Sequence, residues 1–500
     1  MKFNRPSGLK SGVFSIFGLV APSLIYLVVT PILVRILGDA QYGLLVLFLA
    51  IPAFLGNIDF GLGAGGVLGM GRAIEAGDVP KAVRLHRELI TLFALLGICL
   101  AAALWLAAPR LVYLLGMLQA IEYGKALFLV HLAAVALILS ILTASVSILP
   151  RAVEQFPQIA MIQVLGKVVL WLGTVTLACF GSGLSGIFLW VVSLELLVLT
   201  VYVVWNTRLL PALLWLPVGR FHEIGGLIGS SAYAFIGQLS ASCIYHVDKF
   251  LIAYFLGPAA VAYYSVAVGM ASKLLVLAAA MSSFVFPRAV SLSAAAATDA
   301  LKELYLRASR LTLLTLTPIL APAVILAPVL LRLWLPGFAE QSAGPMQLLL
   351  AAYFLSALSV VPAYIYNGKG NFRVSAIYAA IGTLLNVALC LVLIPRLRMI
   401  GAALAAVLSM AQSAVFMGSL ENSFGMGWFG GQGKLFGQLG LLALAQFSAL
   451  SAMARWVHGW PSLAAAGLAG WGLFYALWFL IPMATTEDKA VCNRLLRSWT

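Results

Sequence analysis

Apolar residues run along this chain in long continuous stretches, broken by short segments where glycine, proline, lysine, arginine and aspartate collect. A helical membrane span needs roughly 20 such residues, and reading the stretches against their breakers predicts fourteen spans. The first seven cover 11–37, 42–70, 89–108, 126–149, 159–180, 184–205 and 224–255. The other seven cover 261–285, 311–331, 346–366, 372–394, 399–420, 435–454 and 462–481. Because the runs do not alternate with period two, a transmembrane β-barrel is excluded. No loop is long enough to fold alone, which excludes a soluble catalytic domain. The expected class is an all-α polytopic membrane protein.

Composition agrees: 63% of the 500 residues are apolar, 9% are charged, and the mean hydropathy is +1.05, against about 45–50% apolar and about 25% charged in soluble domains. The basic N-terminus precedes an apolar run longer than a signal-peptide core, with no small-residue cleavage site after it, so that run is expected to remain as the first span. An even number of spans puts both termini on one side. Of the 30 Lys and Arg residues, 20 fall on that side, eight on the other, and Lys167 and Lys273 within spans. The positive-inside rule therefore makes both termini cytoplasmic. The net charge of +14 reports topology and anionic headgroups, not nucleic acid. Cys99, Cys179, Cys243, Cys390 and Cys492 are scattered without CxxC spacing and read as packing residues.

Landmarks recur at a nearly constant offset. Leu37-Gly38 is matched by Leu256-Gly257 and Ala108-Pro109 by Ala327-Pro328, both 219 residues on, while Phe156 aligns with Phe372 at an offset of 216. The chain thus reads as two six-helix lobes, 1–205 and 224–420, joined by a cytoplasmic linker at 206–223. Two added helices at 435–481 and a cytoplasmic tail at 482–500 follow. Six is even, so the repeat is parallel, an arrangement typical of transporters whose substrate site lies between the halves.

The stretch Leu33-Val34-Arg35-Ile36-Leu37-Gly38-Asp39-Ala40-Gln41-Tyr42-Gly43, then Asp59-Phe60-Gly61-Leu62-Gly63 and Gly77-Asp78, resembles the opening of bacterial polysaccharide-export flippases of the Wzx type. These belong to the multidrug/oligosaccharidyl-lipid/polysaccharide superfamily. Val247-Asp248-Lys249-Phe250-Leu251, Leu256-Gly257-Pro258 and Ala262-Tyr263-Tyr264-Ser265 extend the resemblance into the second half. It implies a V-shaped twelve-helix core around a central cavity, located in the bacterial cytoplasmic membrane. Such a core moves a polyprenyl-diphosphate-linked oligosaccharide from the cytoplasmic to the outer leaflet by alternating access. The implied partners are that lipid-linked substrate, the bilayer, and polysaccharide polymerase or export machinery.

A charge at the bilayer centre costs at least about 2.5–3.5 kcal/mol and needs a partner or a wet cavity, so the intramembrane charges are the candidate site. Lys167 and Glu195 both lie roughly 13–15 Å from the cytoplasmic ends of sequential antiparallel spans. They could form a structural pair or serve a ligand. Lys273 sits mid-span, where it could attract the substrate's pyrophosphate or acidic sugars, or pair with Asp59. Asp59 and Glu195 are candidates for coupling to a proton or cation gradient. Arg35, Asp248 and Lys249 lie toward the outer ends of the first and seventh spans, either snorkelling or lining the outer cavity. Lys273, Arg35, Lys249 and Lys167 are thus the candidate substrate-binding residues.

Gly61-Leu62-Gly63-Ala64-Gly65-Gly66 matches the dinucleotide fingerprint GxGxxG, but that motif must follow a β-strand, so helix packing or a hinge is expected there. Pro22, Pro31, Pro52, Pro318, Pro322 and Pro362 predict bent helices. His131 and His246 lack metal-ligand spacing, and no metal or cofactor is expected. Trp105, Trp190, Trp205, Trp334 and Trp456 fall near span ends as interfacial anchors.

Two other functions are weighed. A cation-coupled drug or metabolite antiporter of the same superfamily would favour an acidic cavity, yet Asp59 and Glu195 are balanced by Lys167 and Lys273. An integral-membrane glycosyltransferase or polymerase would need catalytic residues on a large outer loop, and the longest such loops, 109–125 and 332–345, offer only Glu122 and Glu340 as acids. The chain is therefore expected not to be an enzyme.

Overall fold

The computed structural model describes residues 8–58, 61–210 and 225–480, and these are helical nearly throughout, with no strand among them. The first seven helices are α1 (Gly8–Leu55), α2 (Leu62–Glu75), α3 (Val79–Leu114), α4 (Tyr123–Val146), α5 (Ile148–Ala152), α6 (Phe156–Cys179) and α7 (Gly183–Leu209). Next come α8 (Gly225–Leu256), α9 (Pro258–Ala271), α10 (Lys273–Ser282), α11 (Val285–Ala294) and α12 (Thr298–Trp334). The last six are α13 (Ala339–Ala357), α14 (Val360–Gly368), α15 (Phe372–Met410), α16 (Gln412–Ser423), α17 (Gly433–Met453) and α18 (Trp460–Leu480).

Eleven stretches are long and apolar enough to cross a membrane. Two of them each contain more than one span of the sequence pattern, because α1 folds at Gly38 and α15 at Arg398. With α8 over the seventh span, the fourteen-helix plan is recovered.

The first fold needs glycine: Gly38 has φ 76° and ψ 170°, a region closed to most side chains, and two residues on, the Ala40 amide donates to Asp39 Oδ1 at 2.8 Å. The second is made at a non-glycine residue, Arg398, with φ 55° and ψ −136°. One predicted span is also interrupted within its run. The 42–70 span breaks between Leu55 and Leu62, where Gly61 takes a left-handed conformation at φ 77°, whereas the 261–285 span continues through Ser272 with helical dihedrals, φ −61° and ψ −16°. The glycine-rich segment forms the start of α2, where a Cβ on Gly66 would lie 2.8 Å from Leu89 Cδ1, so close packing is its role.

Proline explains how several helices dock. A proline has no N–H, so the carbonyl four residues earlier loses its helical donor, and an unpaired carbonyl in an apolar interior is costly. In α12, Pro322 frees the Pro318 carbonyl, and Gln446 Nε2 of α17 donates to it at 2.9 Å while also reaching Gly470 O of α18 at 2.9 Å. Pro318 frees Leu314 O, which takes the Tyr475 hydroxyl of α18 at 3.1 Å. Pro328 frees Val324 O, which takes Gln347 Nε2 of α13 at 2.9 Å. The device recurs at Pro150, whose freed Val146 carbonyl accepts from buried Asn206 Nδ2 of α7 at 2.8 Å. Pro318 and Pro322, expected to bend a cavity-lining helix, thus also specify where neighbouring helices attach.

The chain divides into two compact units, Met1–Val266 with Phe372–Ala405, and Ala267–Asn371 with Ala406–Thr500. Helices from both halves of the sequence repeat contribute to the first unit. Within it, Tyr263 Oη donates to Asp39 Oδ2 at 2.6 Å, and α1 meets the start of α9 so closely that a Cβ on Gly43 would lie 1.9 Å from the Pro258 carbonyl oxygen. In the second unit, Leu313 of α12 packs with Leu435, Leu439 and Leu442 of α17 and with Phe474 and Trp478 of α18. Arg310 lies over the Trp478 ring at 5.6 Å. Fully buried Glu421, at the end of α16, accepts from Tyr305 Oη at 2.8 Å and from the Gly431 backbone amide at 3.0 Å, tying α12 to the segment that leads into α17.

Candidate functional site

Three helical stripes in the first unit converge on one cavity of about 390 Å³. From α4 and its continuation come Ser140, Thr143, Ser147 and Arg151; α6 contributes Gln163, Gly166, Lys167 and Leu170; α7 contributes Val191, Leu194, Glu195, Val198 and Tyr202. Each set recurs at intervals of three and four residues, the spacing that places side chains on one helical face. Lys167 and Glu195, expected at equal depth on adjacent spans, therefore share a wall, and their charges interact across it. Arg151 and Lys167 are exposed at this site, Glu195 is half-buried and Tyr202 is buried.

One end of the cavity is closed where α6 and α7 touch. Trp190 Nε1 donates to Leu170 O at 3.3 Å, and its indole lies so near the α6 backbone that a Cβ on Gly173 would be 2.2 Å from the ring. α6 packs along α1 and α7, yet only 11% of its most apolar stretch is buried inside the protein. Gly173→Ala is expected to displace Trp190, break that hydrogen bond and cost about 1–3 kcal/mol. Unfolding of the purified protein in mild detergent checks this, and an unchanged midpoint would contradict the contact.

The remaining candidates lie elsewhere. Arg35 is exposed on α1, three residues before the fold at Gly38. Lys249 is half-buried on α8 beside Asp248, which is buried in the first unit, with its carboxylate accepting from Tyr264 Oη at 2.9 Å and from Cys390 Sγ at 3.6 Å. Cys390, expected only to pack, is thus also a donor to a carboxylate. Lys273 opens α10 in the second unit and is half-buried. Asp59, with the pairing and coupling roles expected of it, lies outside the described residues.

Sequence reasoning missed Arg151, Gln163 and Tyr202 at the cavity. Arg151 had been counted among terminal-side charges, and only its stripe with Ser140, Thr143 and Ser147 carries the signal. His131, expected to be a satisfied polar contact, stacks on Trp105 with ring centroids 3.7 Å apart. Among the described residues, no three His, Cys, Asp or Glu side chains group as metal ligands.

A family model described as polysaccharide biosynthesis protein matches residues 32–336. No curated protein matches the chain in sequence. Among solved structures, the lipid II flippase MurJ in an inward closed conformation aligns with TM-score 0.74 at 13% identity, covering 94% of this chain and 99% of its own. An inward-facing multidrug resistance MATE family transporter of the MOP superfamily aligns with TM-score 0.61 at 17% identity, covering 82% and 98%. A MOP superfamily transporter from Pyrococcus furiosus, described as having reversed binding-pocket polarity, aligns with TM-score 0.58 at 14% identity, covering 85% and 99%. At these identities the likeness is one of fold, and the fold is the MOP transporter type.

Proposed function

This chain belongs to the polysaccharide biosynthesis protein family, and from that premise we propose that it flips polyprenyl-diphosphate-linked oligosaccharide repeat units from the cytoplasmic to the outer leaflet. The observation that carries the reading is the pairing of that family with a MOP-type fold made almost wholly of membrane helices. A protein of polysaccharide biosynthesis built this way moves its glycan and does not assemble it. The repeat in sequence supplies two lobes for alternating access, in a multi-pass protein of the bacterial cytoplasmic membrane with both termini inside, working beside polymerase or export machinery.

In this reading Lys167, Lys249, Arg35 and Lys273 attract the anionic headgroup, while Glu195 and Asp59 couple the cycle to an ion gradient. The shared cavity wall of Lys167 and Glu195 supports the assignment, because charges within membrane spans persist where a cavity holds them.

The test is the leaflet location of lipid-linked repeat units in a strain lacking this protein. Units trapped on the cytoplasmic leaflet, and released when the wild-type gene is restored, are expected. Outer-leaflet units at wild-type level in the deletion strain, together with lost drug resistance, would transfer the assignment to the antiporter. Lys273→Ala at normal abundance is expected to lower export, and unchanged export would remove Lys273 from the substrate path.

A further inference from the structure

We propose that the cavity between α4, α6 and α7 is a binding site for a phosphorylated sugar or polyol headgroup of a lipid, held by Arg151, Lys167 and Glu195. As an account of transport this rests on the flippase reading; as a binding site it stands on the chemistry of the wall.

A count of donors and acceptors sets the ligand class. Ser140, Thr143 and Ser147 each donate their hydroxyl hydrogen back to their own helix, to Leu137 O at 3.0 Å, Leu139 O at 2.8 Å and Ala144 O at 2.7 Å. All three residues line the cavity, and a hydroxyl whose hydrogen is spent on its own helix can only accept, as the Glu195 carboxylate does. Opposite charge comes from Arg151, whose planar guanidinium suits phosphate oxygens, and from Lys167. A ligand satisfying both sets brings anionic oxygens and hydroxyl donors together, as a sugar or glycerol phosphate does. Phosphocholine brings the anion without the hydroxyls.

The walls add the lipid. Ile162, Leu170, Val191, Leu194 and Val198 line the same cavity, which free phosphate would not use. The helix separating it from the outside is α6, whose other face carries exposed Met161, Leu165, Val169 and Leu172, the side chains expected toward acyl chains. A headgroup entering beside this apolar outward face keeps its tail in the bilayer.

Gly166 permits a direct test. A Cβ there would meet only Val198 Cγ2, at 3.8 Å, so Gly166→Phe fills the cavity without removing a charge. Leu165→Phe adds a ring to the outward face of the same helix and is the control. The full-length protein is placed in phosphatidylcholine vesicles containing either a polyprenyl-diphosphate sugar or phosphatidylglycerol, and bound lipid is counted by native mass spectrometry. Translocation of the labelled sugar lipid is measured on the same vesicles.

Binding is expected to fall at least about tenfold in Gly166→Phe and in the Arg151→Gln, Lys167→Gln double variant. Lys167→Arg is expected to restore most of it beside native Arg151, and Leu165→Phe to leave it unchanged. Loss of the sugar lipid alone identifies the occupant as substrate, while loss of both lipids identifies a general phospho-polyol headgroup site. Full binding of both lipids by a folded Gly166→Phe protein overturns the proposal. If the wild type binds the sugar lipid through this cavity but does not translocate it, the flippase reading fails and the site remains.

Discussion

Gln446→Leu is expected to destabilise the protein by about 1–3 kcal/mol, the range for stranding a buried carbonyl. Side-chain hydrogen bonds in membranes average only about 0.6 kcal/mol, because the unfolded chain in the bilayer finds other partners. The Pro318 carbonyl differs, since Pro322 removes its helical donor in folded and unfolded helices alike. Gln446 is fully buried and supplies that donor across from α17. Pro322→Ala returns an N–H to α12, and in that background Gln446→Leu is expected to cost under about 1 kcal/mol. Unfolding in mixed micelles of the wild type, both single variants and the double variant measures the coupling. Equal losses in the two backgrounds would show that Gln446 acts through packing alone.

Gly43→Ala is the second large effect. Its Cβ would sit 1.9 Å from the Pro258 carbonyl oxygen, 2.7 Å from the Pro258 carbonyl carbon and 3.2 Å from the Ala262 amide. All three are backbone atoms, which cannot swing aside as a side-chain end can. The α1 and α9 segments must separate, carrying Tyr263 away from Asp39, at a cost of at least about 2–3 kcal/mol. Tyr263→Phe removes the 2.6 Å hydrogen bond while leaving the backbone approach in place, and is expected to cost about 1 kcal/mol. A Gly43→Ala protein as stable as Tyr263→Phe would show that the approach is not tight.

The helices were legible because apolar runs of span length have few alternatives in a chain this hydrophobic. Their interruptions were not. Averaged hydropathy does not register the break between Leu55 and Leu62, since Asn57 and Asp59 are flanked by apolar residues and glycine, and it marks the fold at Arg398 only as a polar gap. The placement of Lys167 and Glu195 on one cavity wall followed from depth alone, because adjacent antiparallel helices bring equal depths together. Arg151 escaped because a charge at a span end satisfies the topology rule whether or not it borders a cavity. Asp248 was read toward the outer membrane end. Its partners lie 16 and 142 residues away in sequence, beyond the reach of helical periodicity.

The proline carbonyls of α12 also bear on the order of synthesis. Gln446 lies 128 residues after the carbonyl it satisfies, and Tyr475 lies 161 residues after Leu314. A helix inserted as it emerges therefore waits with two bare carbonyls while more than a hundred further residues are made. Until α17 and α18 arrive, insertion machinery, water or a chaperone must cover them. Helices made much later complete a hydrogen-bonding pattern begun far upstream, so a chain stopped before α17 should be cleared as unfinished.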